Sequence, residues 1–146
     1  MAVGLFSKNI SDWVSQTVER IDAVHARSFE LLGEELAKTK GEGGKLPFLT
    51  GNLARSLLAS KQGMPNVADG PFAGSNIGLV AATLKANETV FVGYQAKYSF
   101  RQNYGYVGAD SLGRVYNQQG HYFVEGAVAK WPEIVKAAVT DIKSSS

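Results

Sequence analysis

The chain of 146 residues carries 15 Lys and Arg against 13 Asp and Glu, a formal charge of +2, with 45% hydrophobic residues, 19% charged residues and no cysteine. Two independent cores would each be small for unaided stability, so one domain spanning 1–146 is expected, and the apolar share is too high for a disordered chain. The balanced charge gives no electrostatic reason to expect nucleic acid or an acidic membrane as partner, and the missing cysteine excludes disulfides, thiolate metal sites and a cysteine nucleophile.

The opening segment MAVGLFSKNISDW lacks the basic stretch and uninterrupted apolar run of a signal peptide, and no later stretch is apolar enough to span a bilayer. A protein made in the cytoplasm, without membrane association, is expected. From Ser11 to about Lys38, Trp13, Val14, Val18, Ile21, Val24, Phe29, Leu32 and Leu36 recur at three- and four-residue steps, which predicts a long amphipathic helix. Ser11 is the expected cap, with Asp12 at the positive end of the helix dipole. Gly41-Glu42-Gly43-Gly44 then terminates the helix and predicts a flexible connector at about 40–46.

Leu46 to Leu58 reads as a short second helix, capped by Thr50, with Leu53, Leu57 and Leu58 on one face. Lys61 to Asn76 gathers Gly63, Pro65, Gly70, Pro71 and Gly74 and predicts a long exposed loop over 61–76. Ile77 to Leu84 is rich in strand formers, and after the polar break at Lys85 to Glu88 the run Thr89-Val90-Phe91-Val92 ends at Gly93, which predicts a β-hairpin. Tyr94 to Tyr116 is aromatic and glycine-rich and divides between strand and loop. His121 to Lys143 returns to helical spacing, and Pro132 either kinks this helix or opens a second segment in its first turn. Residues 144–146 are expected to fray. The sum is an α+β fold: a long N-terminal helix, a short second helix, a small antiparallel sheet with long loops and a C-terminal helix.

No constellation of catalytic groups emerges. His25 and His121 lie in different elements without a motif around either, and no metal-ligand spacing occurs. Gly43-Gly44-Lys45 is no phosphate loop, because Thr39 stands where the first glycine is required and Leu46 where the motif needs Ser or Thr. Gly105-Tyr106-Val107-Gly108 lacks the third glycine of a dinucleotide fingerprint, which would fall at Ser111. Glu34 and Glu35 read as the solvated face of a helix. The expectation is no enzyme, no cofactor and no metal.

The aromatic segment carries Lys97, Arg101 and Arg114 among its tyrosines, a composition that suits protein contacts and, less well, base stacking with phosphate binding. Pro47-Phe48-Leu49-Thr50-Gly51-Asn52-Leu53-Ala54-Arg55-Ser56 resembles the proline followed by Thr-Gly-x-Leu-x-x-Ser of tailed-bacteriophage head-tail joining and tail-completion (neck) proteins. Val92-Gly93-Tyr94 to Tyr98, then Tyr104-Gly105, and Phe123 to Ala127 in the closing helix are similar too, in the order of that family. Asn103 stands where members often carry an acidic residue, and Leu49 where Asp is common.

The resemblance implies a structural virion protein at the head-tail junction, made in the host bacterial cytoplasm. It implies a homohexameric ring between the head connector or adaptor and the tail tube or its terminator, with DNA only as passing cargo. A tail-tube terminator is the alternative, and a nucleic-acid-binding module a further one. On this reading Met64, Phe72, Tyr94, Tyr98, Arg101, Tyr104, Tyr106, Arg114 and Tyr116 are the candidate contact residues, while Thr50, Gly51, Leu53 and Ser56 fix the local fold.

Overall fold

The computed structural model describes residues 2–48 and 51–145. Helix α1, Ala2–Ala37, has 36 residues and so extends roughly 54 Å. It runs straight through Ser11, the expected cap, because nothing between Ala2 and Ser11 breaks a helix. Its two halves differ. Ser28, Phe29 and Leu36 are buried, whereas Ile10, Trp13, Val14, Val18 and Ile21 are exposed.

The glycine-rich connector is closed rather than flexible. A 3-10 turn at Lys40–Glu42 leads to Gly43 in the left-handed region (φ 92°). The Lys40 amide donates to the Leu46 carbonyl (3.0 Å) and the Leu46 amide to that of Lys38 (3.3 Å). Small residues permit this tight return, since a Cβ on Gly44 would run into the Lys38 backbone. The closure carries Leu46 into complete burial.

The second helix is a single turn, α2, Asn52–Arg55, entered through Gly51 at φ 76°. Leu57 and Leu58, expected to continue it, instead begin strand β1, Leu57–Ser60. Ser56 makes the switch: its hydroxyl donates to the Leu53 carbonyl (2.7 Å), and its own carbonyl accepts from the Gln95 amide (2.9 Å). The expected hairpin of residues 77–84 with 89–92 does not form. Ile77–Ala81 is helix α3, and β1 pairs antiparallel with β2, Phe91–Tyr94, in the register Leu57 to Tyr94 and Ser60 to Phe91.

Tertiary packing overrides the strand-forming composition here. Ile77, Ala81 and Leu84, spaced four and three apart, are buried together in the core against Phe29 and Leu36. Gly33 of α1 leaves room for Ile77, whose Cδ1 would lie 2.5 Å from a Cβ at that position. Asn76 then takes a strand's place beside β1: its Oδ1 accepts from the Ala59 amide (2.7 Å) and its Nδ2 donates to the Ala59 carbonyl (2.8 Å).

The aromatic segment contains a helix that its composition hid, α4, Ser99–Tyr104, followed by a second antiparallel ribbon of β3, Gly105–Ala109, and β4, Val115–Gln119. The chain closes with α5, Phe123–Ala129, and α6, Trp131–Ser145. Pro132 sits in the first turn of α6, where no amide is lost, so it opens a second segment. The helix continues to Ser145, into the stretch expected to fray. Contacts between Lys130 and Glu35 (2.6 Å) and between Asp141 and Arg27 (2.9 Å) show that α6 runs antiparallel along the C-terminal half of α1.

The fold is therefore α+β, with two separate two-stranded ribbons in place of one small sheet. One buried cluster joins α1, β1, α3 and α5 through Phe29, Leu36, Leu57, Ile77, Leu84 and Ala127. A second gathers Leu46, Leu53, Ala96 and Phe123. Tyr94 and Val124 touch both.

Candidate functional site

The tyrosines of the aromatic segment divide by position. Tyr94 ends β2 between the two clusters, meets Phe123 edge-on at 5.1 Å between ring centroids, and donates its hydroxyl to the Leu36 carbonyl. Burial pushes its phenol far above the ordinary value. Tyr94 thus forms a wall shared by the two buried clusters. Phe72 is likewise committed: its ring packs on the cluster around Leu46, and its amide donates to Asn52 Oδ1 (3.4 Å).

Tyr98, Tyr104 and Met64 are exposed as expected. The Tyr98 hydroxyl accepts from Asn52 Nδ2 (3.3 Å), and Tyr104 stacks against Phe100 at 4.8 Å. A hydrogen bond to Glu125 raises the Tyr104 phenol. On the β3–β4 ribbon Arg101 lies 4.0 Å over the Tyr106 ring, and Tyr106 and Tyr116 sit 6.0 Å apart on one face.

Asp110 organises the ribbon's turn. It accepts from the amides of Leu112 and Arg114 (both 2.9 Å), from Arg114 Nε (2.6 Å) and from the Tyr116 hydroxyl (3.2 Å). Desolvation acts to raise this carboxyl, but the hydrogen bonds from Arg114, Leu112 and Tyr116 outweigh it and hold it below the usual range. Lys97 pairs with Asp69 at 2.6 Å. Each of the three cations that suggested phosphate binding, Lys97, Arg101 and Arg114, therefore has a partner within the chain.

The ribbon's opposite face has none of this company. Val107 is 77% and Val115 82% exposed, with Leu112 open at the tip. The ribbon is anchored at its base by the buried Asn103, whose Nδ2 donates to both Glu125 oxygens (3.1 and 2.9 Å) and whose Oδ1 accepts from the Val124 amide (3.0 Å). An acidic residue at 103 would face the Glu125 carboxylate. Gly105, at φ 86°, lets the strands meet where a Cβ would come within 2.6 Å of the Gln118 carbonyl.

Of the motif expected to fix the local fold, Leu53 is buried, Ser56 bonds to it, and Gly51 adopts the left-handed backbone that α2 starts from. Thr50 lies outside the described residues.

No protein family, curated protein or solved structure matches this chain.

His25 lines an apolar cleft of about 350 Å³ with Phe29, Leu32, Val90, Val92 and Trp131, its Nε2 buried without a hydrogen-bond partner. His121 precedes α5, where burial and then the charge of Lys40 lower its pKa. Among the described residues no group of three or more His, Asp or Glu gathers as a metal site, and no helix is long and apolar enough to cross a membrane.

The largest feature that the sequence reading missed is the N-terminal half of α1. Its apolar stripe reads as a core face, yet Trp13 is 66% exposed and Ile10, Val14, Val18 and Ile21 are open too. The signal was a mismatch of lengths: no other segment offers a helix long enough to cover 36 residues, and α6 has 15. Apolar surface of this kind, continuous along an element, is characteristic of an association site.

Proposed function

We propose that the protein is a structural, ring-forming subunit of a tailed-bacteriophage neck, joining the head connector to the tail tube. One observation carries this reading: two elements, the N-terminal half of α1 and the β3–β4 ribbon, expose large apolar side chains that nothing among the described residues covers. Such surfaces suit a subunit completed by neighbours. Two different exposed apolar surfaces suit a heterologous, head-to-tail contact, which closes into a ring when the rotation permits. The resemblance of the segments from Pro47 to Ala127 to neck proteins is what suggests the family, the junction and the sixfold count.

The test uses particles from a phage deprived of this protein. DNA-filled heads and separate tails that join when the purified chain is added back are expected. Heads joined to overlong tails would assign the terminator role instead, and normal, infectious particles would overturn the proposal. A nucleic-acid module would announce itself by DNA affinity that falls steeply with salt.

A further inference from the structure

The stripe on the N-terminal half of α1 continues a face that the chain itself uses. Between the Glu35–Lys130 and Arg27–Asp141 contacts α6 lies along α1, and beyond them Ile21, Val18, Val14, Trp13 and Ile10 emerge into solvent. At 100° per residue these five span an arc of about 140°, from Trp13 on one margin to Val18 on the other. A seam between two helices is narrower. An arc this broad gives each margin a different neighbour.

The two margins are not alike. Gln16 and Arg20 flank the Trp13 side, while Ser11, Ser15 and Asp22 flank the Val18 side. Lys8, Asp12 and Glu19 stand on the far face, away from any contact along the stripe. The two margins complement each other in shape and in charge.

We propose that second copies of this chain cover the stripe, their α1 arms aligned in parallel, with the Trp13 margin of each against the Ser11–Ser15 margin of the next. Ser11 and Ser15 lie one helical turn apart and bracket the level of Trp13, so two small side chains leave a hole for the indole of the neighbour. Arg20 stands about 3 Å along the axis from the level of Asp22 in the next copy, a pairing of opposite charges. Asp22 is already engaged within the chain, Oδ1 accepting from the Ala86 amide at 2.8 Å and Oδ2 lying 3.9 Å from Lys85, so Arg20 of the neighbour shares this carboxylate with Lys85.

An antiparallel pair brings like margins together, Trp13 side to Trp13 side and Arg20 side to Arg20 side, and forfeits both complementarities. A lipid surface fits less well. Amphipathic helices that lie on anionic membranes are rich in Lys and Arg on the polar face, and here Asp12, Glu19 and Asp22 outnumber Lys8 and Arg20.

This inference rests on the ring-forming reading, and the experiment separates the two. Because the chain has no cysteine, the full-length Asn9→Cys/Ser11→Cys variant carries one thiol on each margin at nearly the same height. A short bismaleimide cross-linker should convert it into a ladder of covalent multimers, while each single variant stops at the dimer. Adding Trp13→Ser should reduce the ladder at least tenfold with an unchanged circular-dichroism spectrum. A double variant that stops at the dimer, or yields monomer alone, overturns the parallel packing of the arms. Rings seen by electron microscopy beside such a result would leave the ring-forming reading standing, whereas chains monomeric by mass photometry at all concentrations would count against both.

Discussion

Replacing Asn103 by alanine removes the side chain that fastens the β3–β4 ribbon to α5. It leaves the Val124 amide without its acceptor and the Glu125 carboxylate without two donated hydrogen bonds, at a site where Asn103 is only 3% exposed. An orphaned buried polar group costs about 1–3 kcal/mol. Glu125 reaches solvent, so water replaces part of its loss and most of the cost falls on Val124. The expected destabilisation is about 2 kcal/mol, a fall in melting temperature of roughly 4–8 °C for a chain of this size.

Asn103→Asp sharpens the test. It sets two carboxyl groups together, which raises the folded pKa of the pair above the unfolded value. The penalty is then full above the folded pKa and disappears as the pH falls below the unfolded one. Urea unfolding at a series of pH values reads both effects. An Asn103→Ala midpoint within experimental scatter of the parent, or an Asn103→Asp penalty that persists in acid, would refute the role assigned to this side chain.

Other substitutions probe the remaining joints. Tyr94→Phe should lower stability by about 1 kcal/mol through the lost hydrogen bond to Leu36, and Tyr94→Ala by about 3–5 kcal/mol because both buried clusters lose a shared wall; chemical denaturation distinguishes the two. Asp110 has a lowered pKa when folded, so the stability it lends is present above the ordinary carboxyl value and is lost as the pH falls through the lowered one. Hydrogen exchange at the Leu112 and Arg114 amides should lose protection in that acid window and, in Asp110→Ala, at every pH. Paired Val107→Lys and Val115→Lys changes should leave the monomer's melting temperature within about 2 °C, since surface substitutions are usually small in effect, while abolishing head-tail joining; joining at the parental level would exclude the ribbon's outer face as a contact.

Periodicity made the long helix legible from Trp13 onward, but it could not say what the stripe faces. Ile10 to Ile21 is apolar at helical spacing much as Val24 to Leu36 is, and only the partners that reach the second half, β1, α3, α5 and α6, separate buried from exposed. Ile77 to Leu84 misled because its residues favour strands individually, whereas four- and three-residue steps and the opening at Gly33 decide for a helix. Leu57 and Leu58 follow a helical turn without a break in composition; the Ser56 carbonyl, engaged by Gln95, marks the change, and that contact spans residues far apart in the chain. The candidate site suffered from the same ambiguity. Tyr94 and Tyr98 look alike in sequence, yet one fills the interior and the other the surface, and the cations that suggested phosphate binding found partners in Asp69, Tyr106 and Asp110.

The loop over residues 61–76 is tacked down along its length. Its end pairs with β1 through Asn76, the Ala68 amide donates to the Gln95 carbonyl (2.9 Å), Asp69 meets Lys97, and the Phe72 amide rests on Asn52. Met64 and Val67, on either side of Asn66, whose carbonyl accepts from Gln95 Nε2 (3.4 Å), project outward. A loop ordered only on contact loses conformational freedom at that moment and weakens the complex. Here the freedom is surrendered during folding, so a partner meeting Met64 and Val67 finds them already in position. Lengthening the segment between Gln62 and Ala68 should therefore slow docking more than it harms the fold.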